Sequence, residues 1–276
     1  MQHQTYSWKQ RAGQEIFAQS WHADAPAKAI FVIIHGQSDH SGRFTTMAEW
    51  MTQKGYAVYA ADLIGHGKSG GKRGHMLHFE EYLETVEALI DKAKSAHPDL
   101  PVFLYGQSMG GNVVINYAFT NKQGIRACIA SSPWVRLAFE PPAWKVLLGK
   151  WMRSIYPALA QPTGLNAAHL SHDAQIVQAY QQDPLVHGKI SASAFFETLQ
   201  AGIHIPDKAS SLQVPMLIMH GSADQLTSSV ASKAFADLRP DLITHILFTD
   251  WFHELHNEPE KEKVFNTIEQ FIQQNL

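Results

Sequence analysis

Short, continuous apolar runs separated by amphipathic stretches constrain this chain more than any other feature. Runs at 29–34, 56–61, 102–105, 127–130, 216–219 and 244–248 have the length of strands, and several carry no polar alternation. A strand that is apolar at consecutive positions is covered on both faces, as in a parallel sheet flanked by helices. Apolar residues at helical spacing fill the intervals at 44–54, 79–97, 112–120, 228–238 and 261–274. This alternation predicts an α/β fold with a mostly parallel sheet. Two earlier segments, 6–10 and 14–21, alternate in polarity and extend the sheet to eight strands as an antiparallel edge hairpin.

The pattern breaks between Trp134 and Ile205. This stretch carries several prolines, no convincing strand, and helical patterns at 143–155 and 191–201. It reads as a helical cap inserted after the sixth strand, between a first core part at 1–133 and a second at 206–276. Such a cap would lie over the carboxyl edge of the sheet, where open α/β sheets bind ligands. Trp144, Leu147, Leu148, Trp151, Met152 and Ile155 share one helical face, with Lys145, Lys150 and Arg153 opposite. That face either packs on the domain below, or lines an acyl-chain pocket and touches a membrane surface.

With 276 residues and a net charge of -3, the chain can bury a large core and has no basic footprint for nucleic acid. Its sixteen histidines are expected mostly at the surface. The single cysteine, Cys128, sits in a buried-strand pattern and reads as a small core hydrophobe. No apolar signal region opens the chain and no run reaches membrane-spanning length, so a cytoplasmic protein is expected. Nothing distinguishes a monomer from a homodimer.

Within the run beginning at Val102 the chemistry becomes explicit. Gly106-Gln107-Ser108-Met109-Gly110 follows an apolar strand and opens a helix, the setting of a nucleophile elbow. Glycines at 106 and 110 permit a turn too sharp for side chains, and the following helix aims its N-terminal amides at a developing oxyanion. A serine hydroxyl needs a histidine base and an orienting carboxylate. Asp224 follows one strand and His253 the next, both at the edge that carries Ser108. Asp250 is a weaker rival for the acid, being close in sequence to His253, and His256 is the weaker rival base. His220 reads as a packed structural histidine. The oxyanion donors are the amide of Met109 and, after the strand 29–34, that of Gln37 in His35-Gly36-Gln37.

Several motifs together carry a resemblance: His35-Gly36-Gln37, Asp39-His40-Ser41-Gly42-Arg43, Asp62-Leu63-Ile64-Gly65-His66-Gly67-Lys68-Ser69, Gly106 to Gly111, Asp183-Pro184-Leu185, Gly221-Ser222-Ala223-Asp224 and Phe252-His253-Glu254. With them the chain resembles the monoacylglycerol lipase and lysophospholipase family of α/β-hydrolases over essentially its whole length. The resemblance implies Ser108 as nucleophile, Asp224 as acid, His253 as base, Gln37 and Met109 as the oxyanion hole, and a cap admitting one acyl chain. It implies a single-chain lipid or small ester as substrate, and no cofactor or metal. Two departures are Gln107, where the family often has histidine, and Gln37, where it often has alanine.

Other chemistries remain on the same triad: small-ester hydrolysis, acyl transfer, perhydrolysis, or aminopeptidase activity with Glu140, Asp173 or Asp183 holding an ammonium group. A non-catalytic binding protein is a further alternative. Gly65-His66-Gly67-Lys68-Ser69-Gly70 mimics a dinucleotide fingerprint, but no helix follows it at the required point. The pairs His35 with His40 and His253 with His256 lack a third ligand at matching spacing for a metal.

Overall fold

A computed structural model describes every residue except 12, 122, 123 and 142, and the side chains of Ala143, Trp144, Lys145 and Leu148 are likewise outside that description. Its strands are β1 (Gln2–Lys9), β2 (Glu15–His22), β3 (Ala29–Ile34), β4 (Tyr56–Ala61), β5 (Val102–Gln107), β6 (Ala127–Ser131), β7 (Ala160–Pro162), β8 (Lys189–Ser191), β9 (Met216–Gly221) and β10 (Ile243–Phe248). Its helices are α1 (Thr45–Gln53), α2 (Glu80–Ala96), α3 (Met109–Thr120), α4 (Ala143–Ile155), α5 (Ala174–Gln182), α6 (Ala192–Ile203), α7 (Ser229–Ala236) and α8 (Glu262–Gln274).

Eight strands form one sheet in the order β1-β2-β4-β3-β5-β6-β9-β10. Pairing is antiparallel at β1/β2 and β2/β4 and parallel from β4 onward. This is an α/β-hydrolase sheet, and it bears out the eight-stranded, mostly parallel arrangement with an edge hairpin. β3 explains the continuous apolar runs. Its Ile30, Val32 and Ile34 pack with Tyr82, Val86 and Leu89 of α2 and Val113 of α3. Its Ala29, Phe31 and Ile33 face the other way, toward Met47 and Met51 of α1 and Phe265 and Ile268 of α8. Burying each such side chain on both faces contributes about 1.5–3 kcal/mol. The chain leaves β3 for β4 on one side and reaches β5 on the other, so the carboxyl ends of β3 and β5 flank a topological switch point.

Between β6 and β9 lie α4, β7, α5, β8 and α6. The antiparallel ribbon of β7 and β8 corrects the expectation of a strand-free segment. Strands of three residues, one of them ending in Pro162, are too short for polarity alternation to register. Helix α5 was also unexpected: its apolar face is short, with Tyr180 buried and Ile176 and Val177 half-buried, and Asp173 starts it by accepting from the Gln175 amide. Helix α3 begins at Met109, earlier than the expected 112, because Gly110 and Gly111 belong to the helix rather than to a turn.

The inserted segment is bonded to the loops below it. His253 N and Glu254 N donate to the carbonyls of His169 and Leu170 at 3.4 and 2.7 Å. Ser171 Oγ donates to Asn257 O at 2.8 Å, and His40 Nε2 meets Asp183 Oδ2 at 2.9 Å. Helix α4 differs: Leu147, Trp151 and Ile155 are 56%, 65% and 73% exposed. For these side chains simple packing on the domain below is corrected, while Trp144 and Leu148 fall outside the described side chains. No helix among the described residues is long and apolar enough to cross a membrane.

The histidines also depart from expectation. His35, His40, His66, His220, His253 and His256 are buried, and only His3, His78, His172 and His204 are exposed. Cys128 is buried in β6 as expected, and burial pushes its thiol upward.

Candidate active site

Ser108 stands between β5 and α3 with φ 55° and ψ −117°, a conformation that costs a non-glycine residue about 1–3 kcal/mol. The surrounding backbone enforces it. Ser108 N donates to Ser131 O at 2.9 Å, and its carbonyl accepts from Asn112 N and Trp134 N, both at 3.0 Å. A Cβ at Gly110 would overlap the carbonyls of Ile34 and His35, and one at Gly106 the carbonyl of Gly110. Both elbow glycines are therefore required by close backbone approach. Met109 is the first residue of α3, so its amide has no partner within the helix.

The loop after β3 passes directly beside Ser108, because a Cβ at Gly36 would stand 3.2 Å from Ser108 Cβ. Asp62 pins this loop. Its Oδ1 accepts from Ser41 N and Ser41 Oγ at 2.7 and 2.6 Å, and its Oδ2 from Lys68 N at 2.7 Å. His35 Nδ1 donates to Gly36 O at 2.7 Å and its Nε2 accepts from Leu63 N at 2.8 Å. The stretch that mimics a dinucleotide fingerprint is thus a bracket for the 35–43 loop. The side chain of Gln37 turns to the inserted segment, donating to Lys189 O at 3.0 Å.

Asp224 and His253 meet at the same edge, with Nδ1 donating to Oδ2 at 2.7 Å. The other oxygen of Asp224 accepts the amides of Leu226 and Thr227 at 2.8 and 3.1 Å. Burial drives the Asp224 carboxyl upward, but attraction to His253 and hydrogen bonds from His220 and His253 hold it far below the carboxylate range. Burial likewise lowers His253, and Asp224, helped by Glu254 and Asp39, more than reverses this, leaving it raised. The rivals lie elsewhere: Asp250 is exposed, while His256 is buried against Phe44, ring centroids 4.4 Å apart.

Ser108, His253 and Gln37 line one cleft of about 770 Å³ including its open mouth. Its walls divide by chemistry. Trp134, Leu137, Phe139, Leu165, Leu170, Ile190, Phe195 and Leu226 are apolar; Asp39 and Glu254 are acidic. Arg43 binds both Glu254 oxygens at 2.8 and 2.7 Å, reaches Asp39 Oδ1 at 3.1 Å and lies over the Tyr180 ring. Asp39 Oδ2 is buried with no partner among the described residues.

A family model described as serine aminopeptidase, S33 matches residues 25–260. The chain belongs to this family. Similar to this S33 hydrolase are the monoacylglycerol lipase of Mycolicibacterium smegmatis, 31% identical over 266 residues and 96% of this chain and 95% of the relative, and phospholipase YtpA of Bacillus subtilis, 34% identical over 261 residues, 93% and 99%. The crystal structure of Paleococcus ferrophilus monoacylglycerol lipase superposes with a TM-score of 0.87 at 30% identity, covering 95% of this chain and 99% of that one. The resemblance read from the motifs is therefore borne out.

The S33 fold gathers Gly106, Ser108, Met109 and Gly110 at the end of β5, Gln37 beside them, and Asp224 with His253 opposite. The sequence reading missed Arg43, Glu254 and Asp39 as a buried ionic cluster, although their motifs stood out; opposite charges on two candidate loops were the available signal. His220 is packed in the interior as read, and its Nε2 in addition meets Asp224 Oδ2 at 3.0 Å. Asp173 caps α5 and Asp183 pairs with His40, so two of the three candidate ammonium partners are engaged elsewhere, and Glu140 is exposed.

Proposed function

We propose that this chain is a cofactor-free serine esterase cleaving the ester of a single-chain lipid, with a neutral glycerol headgroup preferred. The carrying observation is one cleft that joins the Ser108 elbow and the Asp224–His253 pair to an apolar wall and an acidic end. In this reading residues 134–205 form a cap over a core of 1–133 and 206–276, and the apolar wall takes the acyl chain.

His253 Nε2 accepts the Ser108 proton as Oγ attacks the acyl carbonyl, while Asp224 stabilises the imidazolium. The amides of Gln37 and Met109 hold the oxyanion, each worth about 3 kcal/mol. His253 then passes the proton to the leaving alkoxide, releasing the alcohol. Water repeats the sequence on the acyl-enzyme, releasing the fatty acid and restoring Ser108.

The Bacillus subtilis relative is named a phospholipase, which favours a second reading, a phospholipid substrate that in a single acyl pocket would be a lysophospholipid. The acidic end argues against it. Arg43 is shared by two carboxylates, which leaves one net negative charge on the three groups, and a net-anionic headgroup 5 Å from such a charge would be repelled by about 3 kcal/mol at an effective dielectric of 20. The exposed apolar residues of α4 suit transient contact with a membrane or micelle surface during substrate uptake.

The test compares a monoacylglycerol, a lysophosphatidylglycerol and p-nitrophenyl esters of graded length, with Ser108→Ala as control. Ser108→Ala is expected to lose at least ~10⁴-fold in kcat. Monoacylglycerol should exceed lysophosphatidylglycerol, whose headgroup carries a net negative charge, by on the order of 100-fold in kcat/KM. Activity confined to acetate and butyrate esters would remove the lipid assignment.

A further inference from the structure

Resting on the reading of Asp224 and His253 as acid and base, we propose that His220 is a positioning residue for the hydrolysis, anchoring the Asp224 carboxylate so that Oδ2 stays aimed at His253. His220 lies on β9, fully buried, with Asp224 on the turn that follows. Its Nε2 lies 3.0 Å from Asp224 Oδ2 and 3.2 Å from Thr227 O, both acceptors, so that nitrogen carries a proton and donates. Its Nδ1 meets the buried Ser232 Oγ of α7 at 2.9 Å, which stops the ring from turning.

Asp224 is thereby held from three sides. Backbone amides take Oδ1, and two imidazoles, from β9 and from the loop after β10, converge on Oδ2 with Thr227 Oγ1 at 2.9 Å. An apolar residue would fill the place of His220 without burying a polar ring, so packing alone does not call for histidine. The donor has two effects. It fixes the carboxylate orientation, and it spreads the negative charge that Asp224 presents to His253. Other ionisable groups face the pair: His245 of β10 toward His220, and Glu254, Asp39 and His256 toward His253.

The test measures kcat, KM and the pH dependence of kcat/KM for His220→Leu, His220→Gln and Ser232→Ala, with melting curves and fluorophosphonate labelling of Ser108 as checks of folding and site count. His220→Leu should lose roughly 10- to 100-fold in kcat with KM within about 2-fold, as a misdirected catalytic group does. Its acid limb should move up by about half a pH unit, because a carboxylate with fewer donors holds the imidazolium more tightly. His220→Gln, which keeps an amide donor, should recover most of the rate. A folded His220→Leu with wild-type kcat, an unmoved limb, or equal loss in His220→Gln overturns the proposal. If His220→Leu does not fold, Ser232→Ala decides: an upward limb shift supports the proposal, and a wild-type profile overturns it. Substantial activity in Ser108→Ala would instead overturn the triad reading itself.

Discussion

At the scale of single residues, local sequence and long-range pairing contribute differently to the site. Ser108 was legible because its strained turn needs only glycines at 106 and 110 and an adjoining strand and helix, all contiguous. The Arg43–Glu254 pair was not, since 211 positions separate its members and nothing local to either specifies the other. This buried pair joins the 35–43 loop to the loop carrying His253. Attraction to Arg43 overcomes burial and keeps Glu254 below the ordinary glutamate range. Glu254 in turn helps raise His253. Glu254→Gln removes a negative charge beside the imidazolium, so the acid limb of kcat/KM should move to lower pH, as a pH-rate profile would reveal. The same variant leaves Arg43 half paired and should cost roughly 3–5 kcal/mol of stability, read by denaturant titration.

At the scale of elements, strands and amphipathic helices of the core followed from polarity period, and β3 and β4 occupy the expected residues. Inside the insertion the rule fails where elements are short, as with β7, β8 and the nine-residue α5. Helix α4 has the period but not the expected burial, because periodicity identifies a face without naming what covers it. Leu147, Trp151 and Ile155 are exposed, and under the proposed function α4 would meet aggregated substrate. Trp151→Ser should therefore lower hydrolysis of micellar monoacylglycerol by about 5- to 10-fold, while hydrolysis of monomeric p-nitrophenyl butyrate stays within about 2-fold. Equal losses on both substrates would place Trp151 in the acyl pocket or the fold instead.

At the scale of the whole molecule, burial of histidines sets the acid response. Burial lowers His35 and His66, and brings His187 and His256 to about 4. A depressed histidine contributes stability that is present above its ordinary 6.5 and is lost as pH falls toward its folded value. His253 has the opposite sign: its contribution is full below 6.5 and is lost as pH rises through its raised value. With His22, His75 and His245 lowered as well, seven depressed histidines outnumber one raised, and Asp224 and Glu254, both lowered, add a further loss at more acidic pH. The melting temperature should therefore begin to fall near pH 6.5, above the carboxylate range, and His187→Gln should flatten the decline between pH 6.5 and 4. A melting temperature constant down to pH 5 would contradict this account.

The sequence by itself determined the sheet, the turn at Ser108, and the order in which Ser108, Asp224 and His253 reach one edge, because each depends on contiguous residues or on the succession of strands along that edge. Only the tertiary structure decided that Asp62 brackets the 35–43 loop, that Arg43 ties that loop to Glu254, that His220 stands behind Asp224, and that α4 leaves Leu147, Trp151 and Ile155 exposed. Those outcomes depend on which distant side chains share a desolvated space, and pairing across such distances leaves no period or spacing in the chain for a local reading to detect.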